Sequence, residues 1–243
     1  MKAWENYFTI MQEVVANVME SQKENIMKAA KILADTTEKG GIIYGFGTGH
    51  SHLVTDDAFW RAATPANYCA LLEQSATGSF EITKSYNIEN TYGIGTLIVD
   101  YNRITSNDCM IIISNSGNNI APIDAAIRAK EKGIPVIAIT AVKYSEYLKT
   151  KHKSNVKLKD VADVVLDNGA KKGDAAFYIE GLDTPTGPTS DAIGIALAQA
   201  LIASTIDKLV RAGHDAPVFK SSNVDGADDY NNKLFDMYYG YWK

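Results

Sequence analysis

Short, uninterrupted runs of valine, isoleucine and leucine are the feature that most restricts what this chain can fold into. These runs alternate with longer stretches that have helical spacing. A strand that is apolar along its whole length is covered on both faces, as in a parallel sheet between two helical layers. The predicted strands are GIIYGFG (41–47), ANYCALLE (66–73), CMIIIS (109–114), IPVIAIT (134–140), ADVVLDNG (162–169) and DAAFYIEG (174–181).

Four longer stretches are predicted to be helices because their apolar residues recur every three or four positions. Glycine ends two of them, at Gly133 and Gly213, where helices commonly stop. The alternation of strands and helices predicts an α/β fold, a three-layer αβα sandwich. The predicted helices are SHLVTDDAFWRAA (51–63), TLIVDYNRI (96–104), APIDAAIRAKEKG (121–133) and TSDAIGIALAQALIASTIDKLVRAG (189–213).

The first forty residues are predicted to be helical. One apolar stripe runs from Trp4 to Met19, and a second helical stretch ends at a pair of glycines. We therefore divide the chain into a helical N-terminal extension, residues 1–40, and one α/β domain, residues 41–243. The stripe either packs on its own domain or pairs with a second subunit.

The charge of the chain limits its partners. Asp and Glu number 29 against 24 Lys and Arg, so the net charge is −5. This balance argues against a general affinity for nucleic acid or for acidic membranes. Cys69 and Cys109 lie inside apolar runs and are predicted to be buried, reduced thiols. The sequence has no secretory leader and no run long enough to span a bilayer, so we expect a cytoplasmic protein.

Three segments do not follow the alternation. The polar stretch 75–95 is predicted to be a long surface excursion. The stretch 143–160 is basic and aromatic, and it is either a solvated loop or a lid that closes over an anionic ligand. The C-terminal stretch 218–243 is dense in aromatic residues, Asn and Asp. It either crosses to a neighbouring subunit or packs over its own sheet.

Three polar clusters stand where strands or connections lead into helices: GFGTGHS (45–51), SNSGNN (114–119) and TPTGPTSD (184–191). In an open parallel sheet, ligands bind outside the carboxyl ends of the strands, and helix N-termini favour phosphate. Each cluster alone also fits a simple helix cap, but three together favour a bound anion. The first cluster is neither a dinucleotide-binding fingerprint nor a P-loop, because His50 replaces the third glycine and no Lys-Ser/Thr pair follows.

These residues carry a family resemblance. ISNSGNNIAPIDAAIRAKEKGIPVIAIT (113–140) resembles the signature of the sugar isomerase (SIS) family, in which a Ser-x-Ser-Gly loop enters a helix. YGFGTGHS (44–51) and GPTSD (187–191) resemble the first and last phosphosugar loops of that family. The resemblance extends from about residue 41 to residue 210. It is greatest to a subgroup of SIS proteins described as phosphosugar-binding proteins or sugar isomerases.

The resemblance implies a five-stranded parallel sheet of flavodoxin-like type, a homodimer or homotetramer, and a phosphorylated sugar as ligand. It further implies that three loops hold the phosphate through side-chain hydroxyls, amides and backbone N–H groups. The implied binding residues are Gly47, Thr48, Gly49, Ser51, Ser114, Asn115, Ser116, Gly117, Asn118, Thr189 and Ser190.

Aldose–ketose isomerisation needs a base that moves a proton between adjacent carbons, and a group that helps to open the ring. Glu73 ends a predicted strand, close to where the isomerase domain of glucosamine-6-phosphate synthase has its catalytic glutamate. The alternative for Glu73 is a solvated strand terminus. His50 and His214 are candidates for ring opening, and Glu180 is a second candidate carboxylate.

One pair of residues has the spacing of metal ligands. His52 and Asp56 share a helix face, and phosphoheptose isomerase, another member, binds zinc through a His and a Glu at this spacing. Its two further ligands are not matched, since Ser190 and Ala198 stand at the corresponding spacing. Two ligands do not complete a zinc site, so we predict neither a metal nor another cofactor.

Two hypotheses remain for the function. The chain is a sugar-phosphate isomerase, or it is a non-catalytic sensor of phosphosugars such as those found in transcriptional regulators. Etherase activity of the N-acetylmuramic acid 6-phosphate type is disfavoured, because the stretch DDAFWRAATP (56–65) lacks the glutamate which that reaction uses. No DNA-reading segment is recognised, which favours the enzyme.

Overall fold

A sheet of five parallel strands lies at the centre of the computed structural model, which describes residues 2–79, 81–238 and 240. The strand order is β2-β1-β3-β4-β5, and every neighbouring pair is parallel. The predicted fold class is confirmed. The strands are β1 Ile43–Gly47, β2 Tyr68–Ala70, β3 Cys109–Ile113, β4 Val136–Thr140 and β5 Val164–Asp167.

Helices cover both faces of the sheet. On one face α6, α7, α9 and α11 contribute to a buried apolar cluster, and on the other face α1, α2, α3 and α10 do so. The helices are α1 Ala3–Ser21, α2 Lys23–Glu38, α3 His52–Ala58, α4 Gln74–Thr77, α5 Ile82–Glu89, α6 Ile94–Tyr101, α7 Ile120–Glu131, α8 Val142–Tyr147, α9 Leu158–Val161, α10 Ser190–Arg211 and α11 Ala227–Tyr238.

The central strands are apolar throughout because both of their faces are covered. Successive side chains point to opposite faces, so Met110 and Ile112 enter one cluster while Ile111 and Ile113 enter the other. All five residues of β1, β3 and β4 are buried. The continuous Val/Ile runs in the sequence are a direct consequence of this arrangement.

The N-terminal helices differ in how deeply they pack. Ala29, Ala30 and Leu33 of α2 are buried in the core against α10 and the sheet. In α1 only Val18 is buried, and an exposed apolar surface remains on its outer side. The stripe therefore packs partly on its own domain, and the division of the chain at residue 40 stays a prediction.

Helix α10 is long and apolar enough to span a bilayer, with 22 residues and a stretch of 18 residues whose mean hydropathy is 1.6. The expectation that no run reaches this length is therefore wrong. In the fold Ile193, Leu197 and Leu201 of α10 are buried against the sheet layer, as in the core helix of a soluble domain. The helix packs on α2 and α3.

The predicted strand at 174–181 is not a strand. The chain forms a 3-10 turn at Lys172–Asp174, then a single antiparallel bridge between Phe177 and Thr186. Gly173 and Asp174 have φ of +73° and +55°, a left-handed conformation that an extended strand cannot include. Apolar composition predicted a strand here. The turn instead places Asp174 where it accepts hydrogen bonds from Thr189 N and Ser190 N at the start of α10.

The excursion 75–95 contains α4, α5 and the start of α6, with residue 80 outside the described residues. In the C-terminal stretch, α11 buries Leu234 and Tyr238 over its own sheet. Residues 239 and 241–243 of that stretch lie outside the described residues. Cys69 and Cys109 are buried free thiols, and burial raises their pKa to about 11 and about 12.

Candidate functional site

A cavity of about 510 Å3 opens at the carboxyl ends of β1 and β3 and the N-terminus of α10. All three polar clusters predicted from the sequence contribute to it, although they are far apart along the chain. The lining residues include Thr48, Gly49, His50, Ser51, Glu89, Ser114, Asn115, Ser116, Asn119, Tyr144, Asp174, Ser190 and Asp191.

The loop between β3 and α7 supplies the hydroxyl groups at one end of the cavity. Ser114 is 4% exposed, and its hydroxyl has no hydrogen-bond partner among the described residues. Ser116 Oγ accepts a hydrogen bond from Asn118 N at 3.3 Å, so its own proton remains available to a ligand. Gly117 has φ +59°, and a Cβ there would lie 2.8 Å from Thr140 Oγ1. The loop therefore requires glycine at this position.

Asn118 does not line this cavity. Its Nδ2 donates to Lys149 O at 2.9 Å, and its Oδ1 accepts from Lys151 N at 3.1 Å. Asn118 is 2% exposed, and both bonds are partly buried. Leu158 N also donates to Gly117 O at 2.9 Å. The stretch 143–160 is thus fastened to the β3–α7 loop.

A second anchor of that stretch is the buried pair His152 and Asp124. His152 Nε2 lies 3.0 Å from Asp124 Oδ1, and His152 Nδ1 accepts a hydrogen bond from Ser154 N at 3.1 Å. Because Nδ1 is an acceptor, Nε2 carries the proton and donates to the carboxylate. Asp124 Oδ2 accepts from Gly93 N at 2.6 Å, which joins the start of α6 to the same anchor.

The loop after β1 brings a carboxylate into the cavity from a distant part of the chain. Thr48 Oγ1 donates to Glu89 Oε2 at 2.9 Å across 41 residues of sequence. Burial raises the pKa of Glu89, and hydrogen bonds from Thr48 and Asn119 with the charge of Lys151 oppose that rise. A half-buried carboxylate of this kind is suited to accept a proton.

At the N-terminus of α10 a carboxylate already occupies the hydrogen-bond donors. Asp174 Oδ1 accepts from Thr189 N at 3.1 Å and from Ser190 N at 3.0 Å, and Asp174 Oδ2 accepts from the Ser190 hydroxyl at 2.6 Å. Asp191, the next residue of α10, also lines the cavity. Burial and the neighbouring Asp174 raise the pKa of Asp191, while His50 and His52 oppose that rise.

The four predicted catalytic residues lie in different places, and only His50 lines this cavity. Glu73 lines a separate cavity of about 590 Å3 beside β2, where it accepts a hydrogen bond from the Ser75 hydroxyl at 2.6 Å. Glu180 is exposed in the connection before α10. His214 lies near Glu38 at 3.6 Å, past the far end of α10, about 33 Å from its start at 1.5 Å per residue.

The predicted binding residues divide into two groups. Those that line the cavity are Thr48, Gly49, Ser51, Ser114, Asn115, Ser116 and Ser190. Four others belong to the loops that form the cavity but do not line it: Gly47, Gly117, Asn118 and Thr189. Gly47, for example, lies so close to Ser51 that a Cβ would approach its carbonyl oxygen to 2.6 Å.

Glu89, Asp174 and Asp191 are cavity carboxylates that the sequence analysis did not select. Asp191 stands inside the quoted motif GPTSD, so a local signal existed for it. Asp174 was assigned to a strand, and nothing near Glu89 in the sequence indicates that it folds back to Thr48.

A metal site is not found among the described residues, where no group of three or more His, Cys, Asp or Glu side chains could hold an ion. His52 Nδ1 lies 2.6 Å from Gly49 O, and Asp56 is exposed on α3. This pair therefore offers two donors at most.

Comparisons with known proteins identify the family and the fold of the chain. A model of the SIS domain matches residues 6–141. The chain is 41% identical over 233 residues to a UPF0309 protein of Halalkalibacterium halodurans, covering 96% of each chain. Among solved structures, phosphoheptose isomerase GmhA from Neisseria gonorrhoeae superposes with a TM-score of 0.55 at 17% identity, over 82% of this chain and 95% of that one.

The NanR protein of Vibrio vulnificus, solved as a complex with ManNAc-6P, superposes with a TM-score of 0.52 at 14% identity. The superposition covers 97% of this chain and 70% of that one. At these identities the solved structures show a shared fold, while the domain model and the sequence relative show descent. The chain therefore belongs to the SIS-domain family and, within it, to the UPF0309 proteins.

Proposed function

We propose that this chain binds a phosphorylated sugar in the cavity, with the phosphate at the loop between β3 and α7. The observation that carries the proposal is the hydroxyl of Ser114, a residue that is only 4% exposed and that lines the cavity without a side-chain partner among the described residues. Ser116 stands beside it, and the loop leads into the N-terminus of the twelve-residue helix α7. Free N–H groups and the helix dipole favour an anion at that position.

The family comparison supports the same ligand class. Phosphoheptose isomerase and a NanR protein complexed with ManNAc-6P share the fold of this chain. The N-terminus of α10 is the less favourable place for the phosphate, because Asp174 already accepts hydrogen bonds from the donors of Thr189 and Ser190. We therefore place the sugar between the two helix termini.

We further propose that the chain is a sugar-phosphate isomerase. Proton transfer between adjacent carbons needs a base close to the substrate. Glu89 lines the cavity and has a raised pKa, so within one chain it is better placed than Glu73 for this role. His50, also on the cavity wall, is the candidate that assists ring opening.

A thermal-shift screen with phosphorylated sugars and their unphosphorylated counterparts tests the binding proposal. A ligand at about 100 times its dissociation constant stabilises the protein by about 2.7 kcal/mol, which is a shift of a few degrees for a chain of this size. We expect shifts only with phosphorylated sugars, and we expect Ser116→Ala to weaken them. Ser222→Ala, on the exposed surface, is the control. The absence of any phosphate-dependent shift would contradict the proposal.

An assay of aldose–ketose conversion then separates the enzyme from the sensor. With the sugar that gives the largest shift, we expect turnover in the wild type and a large loss in Glu89→Gln. A matched Glu73→Gln variant shows which of the two carboxylates acts. Binding without turnover would instead assign the chain to the phosphosugar sensors.

We also propose that the chain is cytoplasmic and acts as a homo-oligomer. The two buried free thiols are suited to a reducing compartment. The outer side of α1 exposes Trp4 and Phe8, at 61% and 60%, and an apolar groove of about 410 Å3 lies between α1, α2 and α10. Apolar surface of this kind is typical of a subunit interface.

A further inference from the structure

The two ends of the cavity differ in charge. At the β3–α7 end the ligand meets the hydroxyls of Ser114 and Ser116 and the N-terminus of a long helix. At the α10 end it meets two carboxylates, those of Asp174 and Asp191. A ligand that fits both ends carries an anionic group at one end and a group that tolerates carboxylates at the other.

The α10 end has an excess of negative charge. A helix N-terminus contributes roughly half a positive elementary charge, whereas Asp174 and Asp191 contribute two carboxylates. Both carboxylate oxygens of Asp174 already accept hydrogen bonds from Thr189 and Ser190. Asp174 therefore adds negative charge to the cavity but can accept few further hydrogen bonds. Asp191 is the carboxylate that remains available to a ligand.

Lys151 is a cation whose charge acts on Glu89, but it is not among the residues that line the cavity. None of the described residues that line the cavity is a lysine or an arginine, while three of them, Glu89, Asp174 and Asp191, are carboxylates. The neighbouring imidazoles of His50 and His52 lower the pKa of Asp191, but burial and Asp174 outweigh them. A positively charged group on the ligand would compensate for the charge that the protein leaves unbalanced.

The unpartnered hydroxyl of Ser114, a residue only 4% exposed, is an independent indication that the same cavity takes a ligand. We infer that the substrate is an amino sugar phosphate, with its phosphate at the β3–α7 loop and its protonated amino group against Asp191. This inference rests on the proposed function, because it assumes that the cavity binds a phosphorylated sugar.

Neutral sugar hydroxyls also donate to carboxylates, so the amino group must be distinguished by affinity. A hydrogen bond between two charged partners is stronger than one in which only the carboxylate is charged. We expect an amino sugar phosphate to bind about tenfold or more tightly than the matched neutral sugar phosphate. An N-acetylated amino sugar has no charge on its nitrogen and should show no such preference.

Isothermal titration calorimetry with matched pairs tests the inference. The pairs are the 6-phosphates of glucosamine and glucose, galactosamine and galactose, and mannosamine and mannose, with N-acetylglucosamine 6-phosphate as the uncharged amide. We expect the amino member of at least one pair to bind more tightly by the stated factor. We expect Asp191→Asn to lose this preference while it keeps its affinity for the neutral member. Asp183→Asn, at an exposed aspartate outside the cavity lining, should keep the preference.

Each result has a defined meaning. If a neutral sugar phosphate binds as tightly as its amino partner, or if Asp191→Asn keeps the preference, the inference is overturned while the proposed function stands. If neutral sugar phosphates bind and no amino sugar phosphate does, the conclusion is the same. If no phosphorylated sugar binds the wild type, the proposed function fails together with the inference.

Discussion

Asp174 controls the chemistry of the α10 end through one side chain. The backbone of Asp174 has φ +55°, which aspartate tolerates better than most residues. In this turn the carboxylate accepts hydrogen bonds from the first N–H groups of α10. The side chain thus acts as a cap that is remote in sequence from the helix it caps. A pattern search for caps examines the residues that directly precede a helix, so it selects Thr189 and not Asp174.

The capping role of Asp174 leads to a stability prediction. We expect Asp174→Ala to lower the free energy of unfolding by about 1 kcal/mol, as for the loss of other helix caps. Asp174→Asn keeps an acceptor oxygen and tolerates the left-handed backbone, so it should lose less. Urea unfolding of both variants measures the difference. A loss in Asp174→Ala no larger than that in Asp183→Ala would contradict the capping role.

The raised pKa of Glu89 leads to a pH dependence. Because the pKa is higher in the folded state than in the unfolded state, the folded state binds this proton more tightly. The stabilisation from protonated Glu89 is fully present below the unfolded pKa, and it is lost as the pH rises through the folded pKa. Glu89→Gln removes this dependence. Its stability relative to the wild type should therefore increase as the pH rises above 4.5, the ordinary value for glutamate.

Urea unfolding at a series of pH values measures this difference. Glu81→Gln, at an exposed glutamate, is the matched control, and its stability relative to the wild type should change less with pH than that of Glu89→Gln. A constant difference between Glu89→Gln and the wild type across the acid range would show that burial does not raise this pKa.

At the scale of elements, the sequence predicts best where burial on both faces determines composition. The central strands β1, β3 and β4 were predicted because every position in them is buried and nearly every residue is apolar. Helix α10 was predicted because it buries one stripe of apolar residues, and α7 was predicted although it is buried on nearly all sides over its first two turns. The turn at Lys172–Asp174 was missed because its conformation depends on the start of α10, which follows it in the sequence. Helix α3 ends early, at Ala58, since Trp60 has φ +46°.

The sequence predicted the loops of the candidate site, but it did not predict the carboxylate that Glu89 adds to them. Short polar loops at strand ends are visible as motifs, and the Ser114 and Thr48 loops do line one cavity. The position of Glu89 depends on how α4 and α5 fold back, and that is a tertiary property without a local signal.

The connection between α8 and α9, residues 148–157, provides a prediction at this scale. The buried amide of Asn118 holds it through Lys149 and Lys151. We expect Asn118→Ala to lower the free energy of unfolding by about 1–3 kcal/mol, the usual effect of leaving buried polar groups unpaired. Amide hydrogen exchange should accelerate in residues 149–153 and change little in β3.

Asn223→Ala, on the exposed surface, is the control for that experiment. Unchanged exchange in residues 149–153 of Asn118→Ala would show that the pair His152 and Asp124 holds the segment without help from Asn118.

At the scale of the whole molecule, the exposed apolar surface predicts self-association. Met19 and Met27 border the groove between α1, α2 and α10 and are more than half exposed. We expect the wild type to elute as a homodimer or larger species in size-exclusion chromatography with light scattering. Met27→Glu places a charge in this apolar contact and should shift the mass towards the monomer. Tyr101→Glu, at an exposed aromatic residue in the opposite helical layer, should not.

A monomeric wild type would contradict the proposed oligomer. A loss of association in Tyr101→Glu but not in Met27→Glu would place the interface on the other side of the molecule, beside the cavity that Glu73 lines.

The position of the phosphorus atom in a crystal structure of the complex is the most direct test of the proposed function. The crystals would contain the phosphorylated sugar that gives the largest thermal shift. Our account predicts a phosphate within hydrogen-bonding distance of the Ser114 and Ser116 hydroxyls and the N-terminus of α7, with the sugar extending towards Asp191. A phosphate bound at the N-terminus of α10, or in the separate cavity beside Glu73, would contradict it.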